Sequence, residues 1–403
     1  MNSSGSKGKK GGTRARALKN NLEPVSDKKT TPDKKIVRAR PMGLVPAGLV
    51  PAGLVPAGLV PVPIHKAVNM VLAHDITEVR LDFKGPAFKK GHIVKEEDIE
   101  HLRRLGKENI YVLDLGPRMM HEDDAAYALA EALMGRGVRI EGEPREGKIN
   151  IVAGRAGLLK INEAALTRFN MGGEVICATL HDNMLVKEGQ KVAATRAIPL
   201  VIERKIVRKA ARISRNAGGV IQVKPLRRPK AGIVITGGEV FSGRIKDSFA
   251  PVMRKKIEEY EGEVVGFAYA PDDEKVIETK LREFIGQGAD LLIATGGMSV
   301  DPDDVTRFAI RKLGASRLVY GSPVLPGAML LVAYIEAGEG RIIPVLGVPT
   351  CAMYSRITVL DLVLPRILAG EEIGRGELAR LGHGGLCLHC PVCTYPTCPF
   401  GKY

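Results

Sequence analysis

Tryptophan is absent from this chain, and only nine phenylalanines and nine tyrosines are spread through its 403 residues. Its cores must therefore be filled by Ile, Val, Leu, Ala and Met, and the length allows two or three of them. Cysteine is scarce as well. Four of the six lie within residues 387–398, and Cys177 and Cys351 stand singly among apolar neighbours. That distribution excludes a disulfide framework and suits a reducing compartment with one metal site. Long apolar runs are also missing. The one uncharged stretch, residues 42–64, follows a basic segment but carries Pro46, Pro51, Pro56, Pro61 and Pro63. Each interior proline costs a helix about 3 kcal/mol, which excludes a membrane-spanning helix. Its Gly-Leu-Val-Pro-Ala repeat reads instead as a polyproline-like linker.

Acidic residues are the minority charge, 45 against 60 basic ones, for a net charge of +15. Residues 1–40 hold twelve Lys or Arg and three Asp or Glu, so most of the excess sits in an arm too poor in apolar residues to fold. A basic run is weak grounds for a nucleic-acid partner, and the arm reads as a solvated tail. Residues 1–63 are thus expected to be a disordered basic tail and repeat linker.

The rest divides by pattern into 64–230, 231–370 and 371–403. In the first part, helices are expected at 96–105 and 121–134, the latter with the acidic first turn Glu122-Asp123-Asp124. Short β-like runs separated by Gly or Asn turns follow between 148 and 207, suggesting a small β-rich subdomain. The basic runs 204–215 and 224–230 mark a boundary. From 231 onward strand-like and helix-like patterns alternate: strands at 231–235, 264–269, 291–294, 329–335 and 342–346, and helices between them, with one starting near Asp301-Pro302 and another running from 352 to 368. The expected fold class is α/β, a three-layer doubly wound, mostly parallel sheet preceded by smaller α+β or β subdomains.

Two glycine turns dominate that sheet. Thr236-Gly237-Gly238-Glu239 and Thr295-Gly296-Gly297-Met298-Ser299 each leave an apolar strand and precede a helical pattern. In a doubly wound sheet such loops lie at the carboxyl ends of parallel strands, where ligands bind. With little side-chain bulk, their backbone N–H groups can approach an anion. Glu239, Asp247, Asp272, Asp273, Asp301, Asp303 and Asp304 stand in or beside the turns. If they converge, such hard oxygen ligands suit Mg²⁺ with a phosphate completing its coordination. Asp272 and Asp301 also have a plain reading as helix caps, and acids in a first helical turn are stabilised there without any function.

The motifs Thr236-Gly-Gly-Glu-Val-Phe-Ser-Gly-Arg-Ile-Lys-Asp-Ser248, Ala270-Pro-Asp-Asp-Glu274 and Thr295-Gly-Gly-Met-Ser-Val-Asp-Pro-Asp-Asp-Val-Thr306 together resemble the molybdopterin-binding domain. That domain is shared by molybdopterin molybdenumtransferases and the adenylyltransferases that precede them. Residues 67–75 and 90–112 resemble, more weakly, the N-terminal region of the molybdenumtransferases. The resemblance implies binding of molybdopterin or its adenylated form, and Mg²⁺-dependent insertion of molybdate with release of AMP. A non-catalytic carrier or maturation protein serving a client molybdoenzyme is the alternative. It further implies a catalytic set of Glu239, Asp247 and Asp304, and metal-holding Asp272 and Asp273. The pterin phosphate would be lined by Thr236, Gly237, Gly238, Thr295, Gly296, Gly297 and Ser299. A cytoplasmic homodimer is expected.

The chain departs from that family in three places. A Pro-Gly-Lys-Pro loop is replaced by Pro326-Gly327-Ala328-Met329, removing a cation. A Gly-Leu-Pro-Gly-Asn-Pro loop is replaced by Gly347-Val348-Pro349-Thr350-Cys351-Ala352, putting cysteine at the asparagine position. In place of the family's C-terminal β domain, residues 371–403 carry Cys387-x2-Cys390-x2-Cys393-x4-Cys398-Pro399. Pterin binding survives these changes more easily than molybdate insertion does. Cysteines at these intervals can ligate an iron–sulfur cluster, although the last interval is one residue longer than the usual run, or a zinc ion. Cys351 is read as a small buried apolar residue, or as a sulfur ligand facing the pterin site.

Overall fold

The computed structural model describes residues 60–80, 83–113, 117–298, 304–338 and 340–402. The basic tail, most of the repeat, and Ser299, Asp301 and Asp303 lie outside the described residues.

Three packing units follow one another along the chain. In the first, the strand Asn109–Leu113 is flanked by antiparallel Val60–Pro63 and Val71–Leu72. Ile64, Leu72, Ile76, Leu102 and Val112 fill its core. Val60–Pro63 was expected to be the end of the linker. It pairs here because it is an edge strand, where a proline's missing N–H is tolerated.

The second unit packs the helices Glu122–Leu133, Glu163–Asn170 and Arg204–Asn216 against a four-stranded antiparallel sheet and a three-stranded one. His121 caps the first of these helices, its ring nitrogen accepting from Asp123 N at 3.2 Å. The basic run at 204–215 is a helix and not merely a boundary. Val207, Ala210, Ala211 and Ser214 are buried at helical spacing while Arg208 and Arg212 stay exposed, and this stripe carries the fold despite the surrounding charge.

The third unit is the α/β domain. Its six strands lie in the order Glu263–Ala270, Lys230–Thr236, Leu291–Thr295, Ile342–Val348, Leu331–Glu336, Ser316–Tyr320. The first four are parallel, Leu331–Glu336 runs antiparallel to them, and Ser316–Tyr320 pairs antiparallel with Leu331–Glu336. Side chains alternate across the sheet. Ile233, Ile235, Leu291 and Ile293 face the layer of Phe249–Glu258 and Val359–Leu368, whereas Val234, Leu292 and Ala294 face Glu274–Gly286 and Thr306–Lys312. Ile373, Leu378, Leu381 and Phe400 enter the first of these layers, so residues 371–402 pack as part of the domain.

The helix expected over 352–368 is two helices, Cys351–Tyr354 and Val359–Leu368. The second starts at a capping box: Thr358 Oγ1 accepts from Leu360 N at 3.2 Å, and Asp361 Oδ2 accepts from Thr358 N at 2.7 Å. Asp361 Oδ1 takes Lys256 Nζ at 2.5 Å with both side chains nearly buried. Removing the cation from such a pair leaves an uncompensated buried charge. Lys256→Met is therefore expected to lower stability by about 3–5 kcal/mol in urea unfolding.

A second ionic cluster joins the middle unit to the end of the α/β domain. Glu371 receives Lys160 at 2.9 Å, Lys224 at 3.3 Å and Arg366 at 2.9 Å. Burial alone would raise the Glu371 carboxyl, but hydrogen bonds from Lys160 and Arg366, reinforced by their charges, hold it below the usual value. A depressed folded-state value means stabilisation that is full above the unfolded value and lost as pH falls through the folded one. Glu371→Gln is expected to cost about 1–3 kcal/mol at neutral pH and to remove this part of the acid sensitivity, as read by unfolding across a pH series.

Candidate functional site

After Lys230–Thr236 the chain winds outward to Glu263–Ala270, then crosses back to Leu291–Thr295 on the other side. The topological switch point therefore falls between Lys230–Thr236 and Leu291–Thr295, which pair with Ile235 opposite Thr295. Both glycine turns emerge there side by side.

The turns interlock. Thr236 Oγ1 donates to Thr295 O at 3.1 Å and lies 3.1 Å from Thr306 Oγ1. Gly296 and Gly297 have φ of +88° and +56°. A Cβ on the first would stand 2.4 Å from Thr236 O, and one on the second 2.5 Å from Thr306 Oγ1. Only glycine meets both the backbone angle and the close approach. Gly237, at φ +134°, has open space where a Cβ would point. Thr295 is fully buried, and its hydroxyl has no hydrogen-bond partner. An unpaired buried hydroxyl costs about 1–3 kcal/mol, so it calls for an explanation.

The acidic residues are distributed among separate tasks. Asp272 Oδ2 accepts Gly238 N at 2.9 Å, fastening the first turn to the neighbouring strand end. Asp273, not Asp272, caps the helix Glu274–Gly286, because its backbone is extended and its Oδ1 reaches Lys275 N and Val276 N. Asp247 accepts Phe249 N at 2.7 Å, Ala250 N at 3.1 Å and the Tyr269 hydroxyl at 2.9 Å. Partial burial and this hydrogen bond push the Tyr269 hydroxyl up. Glu239 is exposed on the short helix Gly238–Phe241. Asp304 is half-buried ahead of the helix Thr306–Lys312, whose cap position is Val305 rather than Asp301. Among the described residues, no three His, Cys, Asp or Glu side chains form a group that could hold a single metal ion.

Thr306 and Tyr320 brace the two turns and are positions that the sequence pattern alone does not single out. Thr306 completes the threonine contact, and its burial at the start of a helix is the signal that points to it. Tyr320 donates its hydroxyl to Met298 O at 2.6 Å and so fixes the second turn from the strand Ser316–Tyr320, whose weak pattern hides it. Cys351 begins a short helix just beyond Val348, which pairs with Thr295, so it emerges at the same sheet edge. It is half-buried rather than buried, and that burial pushes its thiol up. Cys177 lies in the middle unit, its thiol pushed up to about 12 by burial. Cys387, Cys390, Cys393 and Cys398 line one cavity beside residues 354–357.

Residues 232–369 match a family model described as a probable molybdopterin binding domain. Residues 61–114 match one described as a domain of unknown function, DUF8806, and coincide with the first packing unit. A CinA-like protein of Mycolicibacterium vanbaalenii is 35% identical over 95 residues, 24% of this chain and 22% of that protein. A molybdopterin molybdenumtransferase of Synechococcus elongatus is 26% identical over 155 residues, 36% of this chain and 38% of that protein. The chain thus spans well under half the length of these curated relatives. The solved tungsten cofactor synthesizing protein MoaB from Pyrococcus furiosus is 20% identical, with 34% of this chain and 91% of that one covered at a TM-score of 0.29. Residues 232–369, with their three motifs in order, are therefore similar to the probable molybdopterin-binding domain, at low identity to the curated relatives.

Proposed function

We propose that this domain binds molybdopterin, in its free or adenylated form, with the phosphate end at the paired glycine turns, and that the chain serves molybdenum cofactor biosynthesis as a binding and hand-over protein. The observation that carries the reading is the pair of glycine turns emerging side by side at the switch point, with open space at Gly237 and a buried, unpaired hydroxyl on Thr295 at the end of the second strand. Such a hydroxyl fits a phosphate oxygen, and the turns bring backbone close to it without side-chain bulk. Bound molybdopterin supplies the dithiolene that takes up molybdenum. This chain's residues orient it: Asp272 holds the first turn, and Tyr320 and Thr306 hold the second.

Insertion of molybdate with release of AMP is the second reading, favoured by the exposed Glu239 carboxylate at the mouth of the first turn. Asp247, Asp272 and Asp273 use their oxygens on backbone amides, which fits a magnesium cage poorly. The substitution of alanine and cysteine in the two neighbouring loops also favours binding over turnover. The carrier reading requires a client molybdoenzyme as partner.

Incubating the purified protein with adenylated molybdopterin, Mg²⁺ and molybdate separates these readings. Retained pterin without AMP is expected; stoichiometric AMP release would establish the insertion reading, and absence of retained pterin would end both. Thr295→Val keeps the shape of the side chain and removes the unpaired hydroxyl. It is expected to stabilise the ligand-free protein by about 1 kcal/mol in urea unfolding while weakening pterin retention about tenfold.

A further inference from the structure

The C-terminal cysteines sit on an excursion of the chain that is clipped at its neck. Gly401 N donates to Gly384 O at 2.9 Å, Cys387 N to Leu325 O at 2.8 Å, and Leu325 N to Gly385 O at 2.8 Å. Beyond the last cysteine, Phe400 is buried in the domain core, and the Tyr395 hydroxyl donates to Asp361 O at 3.3 Å. The excursion is thereby fixed against the helix Val359–Leu368, which the Lys256–Asp361 pair holds in turn.

All four cysteines line the same cavity, of about 200 Å³, between this excursion and residues 354–357. Ile357, Leu386 and Leu388 supply apolar wall. The arrangement discriminates between the two kinds of metal centre. A zinc ion draws four thiolates to about 2.3 Å from its centre and fills the space between them. Here all four thiols border one common space, larger than a single ion would fill. A cubane cluster is held from its corners, its own iron and sulfide separating the thiolates. Three cysteines stand at successive three-residue steps, as ligands of one cluster do, and Cys398 borders the same space and so can complete the set. The extra residue in the last interval is taken up by a turn, in which Thr397 N and Thr397 Oγ1 both donate to Thr394 O, at 2.8 and 2.6 Å. The Lys402 ammonium donates to the carbonyls of Pro396 and Cys398, which sets a cation beside the fourth ligand. A positive charge there offsets the negative charge of a thiolate-ligated cluster.

We propose that Cys387, Cys390, Cys393 and Cys398 hold one [4Fe–4S] cluster. The assignment is independent of the pterin reading, since it rests on residues outside the glycine turns. The centre lies beside Tyr354, at the end of the short helix that begins with Cys351 at the carboxyl edge of the sheet.

Anaerobic reconstitution of the full chain with ferrous iron and sulfide tests it. About four iron and four acid-labile sulfide per chain are expected, with a broad visible absorption that bleaches on reduction. Cys390→Ser and Cys393→Ser should each lower bound iron at least twofold, whereas Cys177→Ala, in the middle unit, should leave it unchanged. One tightly held zinc per chain that excludes iron, or no metal retained after reconstitution, would overturn the assignment. So would a Cys393→Ser chain with its full iron content. The wild-type stoichiometry alone decides between cluster, zinc and no metal, so the test stays decisive even where a variant fails to fold.

Discussion

The contact among Thr236, Thr295 and Thr306 is the constraint on which the rest of the α/β domain depends. One hydroxyl ties the end of one central strand to the carbonyl of its neighbour and to the start of a helix in the opposite layer. That arrangement is possible only where Gly296 and Gly297 allow the backbones to close to distances no side chain would permit. At the same strand end the Thr295 hydroxyl is buried without a partner. A rigid pair of turns and an unsatisfied polar group thus stand together at the switch point. A site of this kind is pre-organised, so a ligand that satisfies the hydroxyl need not pay to order the loops.

The surroundings reinforce the turns more than they furnish catalytic groups. Asp272, Asp273 and Asp247 were expected to gather around a metal and a phosphate, and each is found bonded to backbone N–H groups at a turn or helix start. Acids near helix N-termini are stabilised by the dipole and by orphan amides, and that local pull is sufficient to explain three of them. The loops that depart from the family pattern, at Ala328 and Cys351, remove a cation and an amide from the same edge. The cysteine excursion is fastened through Asp361 and Phe400 to the helix layer of the same domain.

Much of this was legible in the sequence. The alternation of apolar strands and amphipathic helices pointed to the doubly wound sheet, and two Thr-Gly-Gly turns, each after an apolar strand, pointed to its carboxyl edge. The misreadings share one physical cause, the overriding of local pattern by neighbours distant in sequence. Val60–Pro63 pairs despite its prolines because only one of its edges is used. The run 204–215 hides four buried small or apolar residues among its arginines and lysines. The helix at 352–368 is interrupted because Thr358 and Asp361 build a cap where periodicity continues undisturbed. Side-chain direction was not legible at all. Whether Asp272 or Asp273 caps a helix depends on one backbone angle that the sequence leaves open. No helix among the described residues is long and apolar enough to cross a membrane.

The most direct test of the central claim is a crystal structure of the protein with molybdopterin bound. The account predicts density for the terminal phosphate between Gly237-Gly238 and Gly296-Gly297, with one phosphate oxygen within about 3 Å of Thr295 Oγ1. Pterin bound elsewhere, with the Thr295 hydroxyl still unpaired, would contradict it.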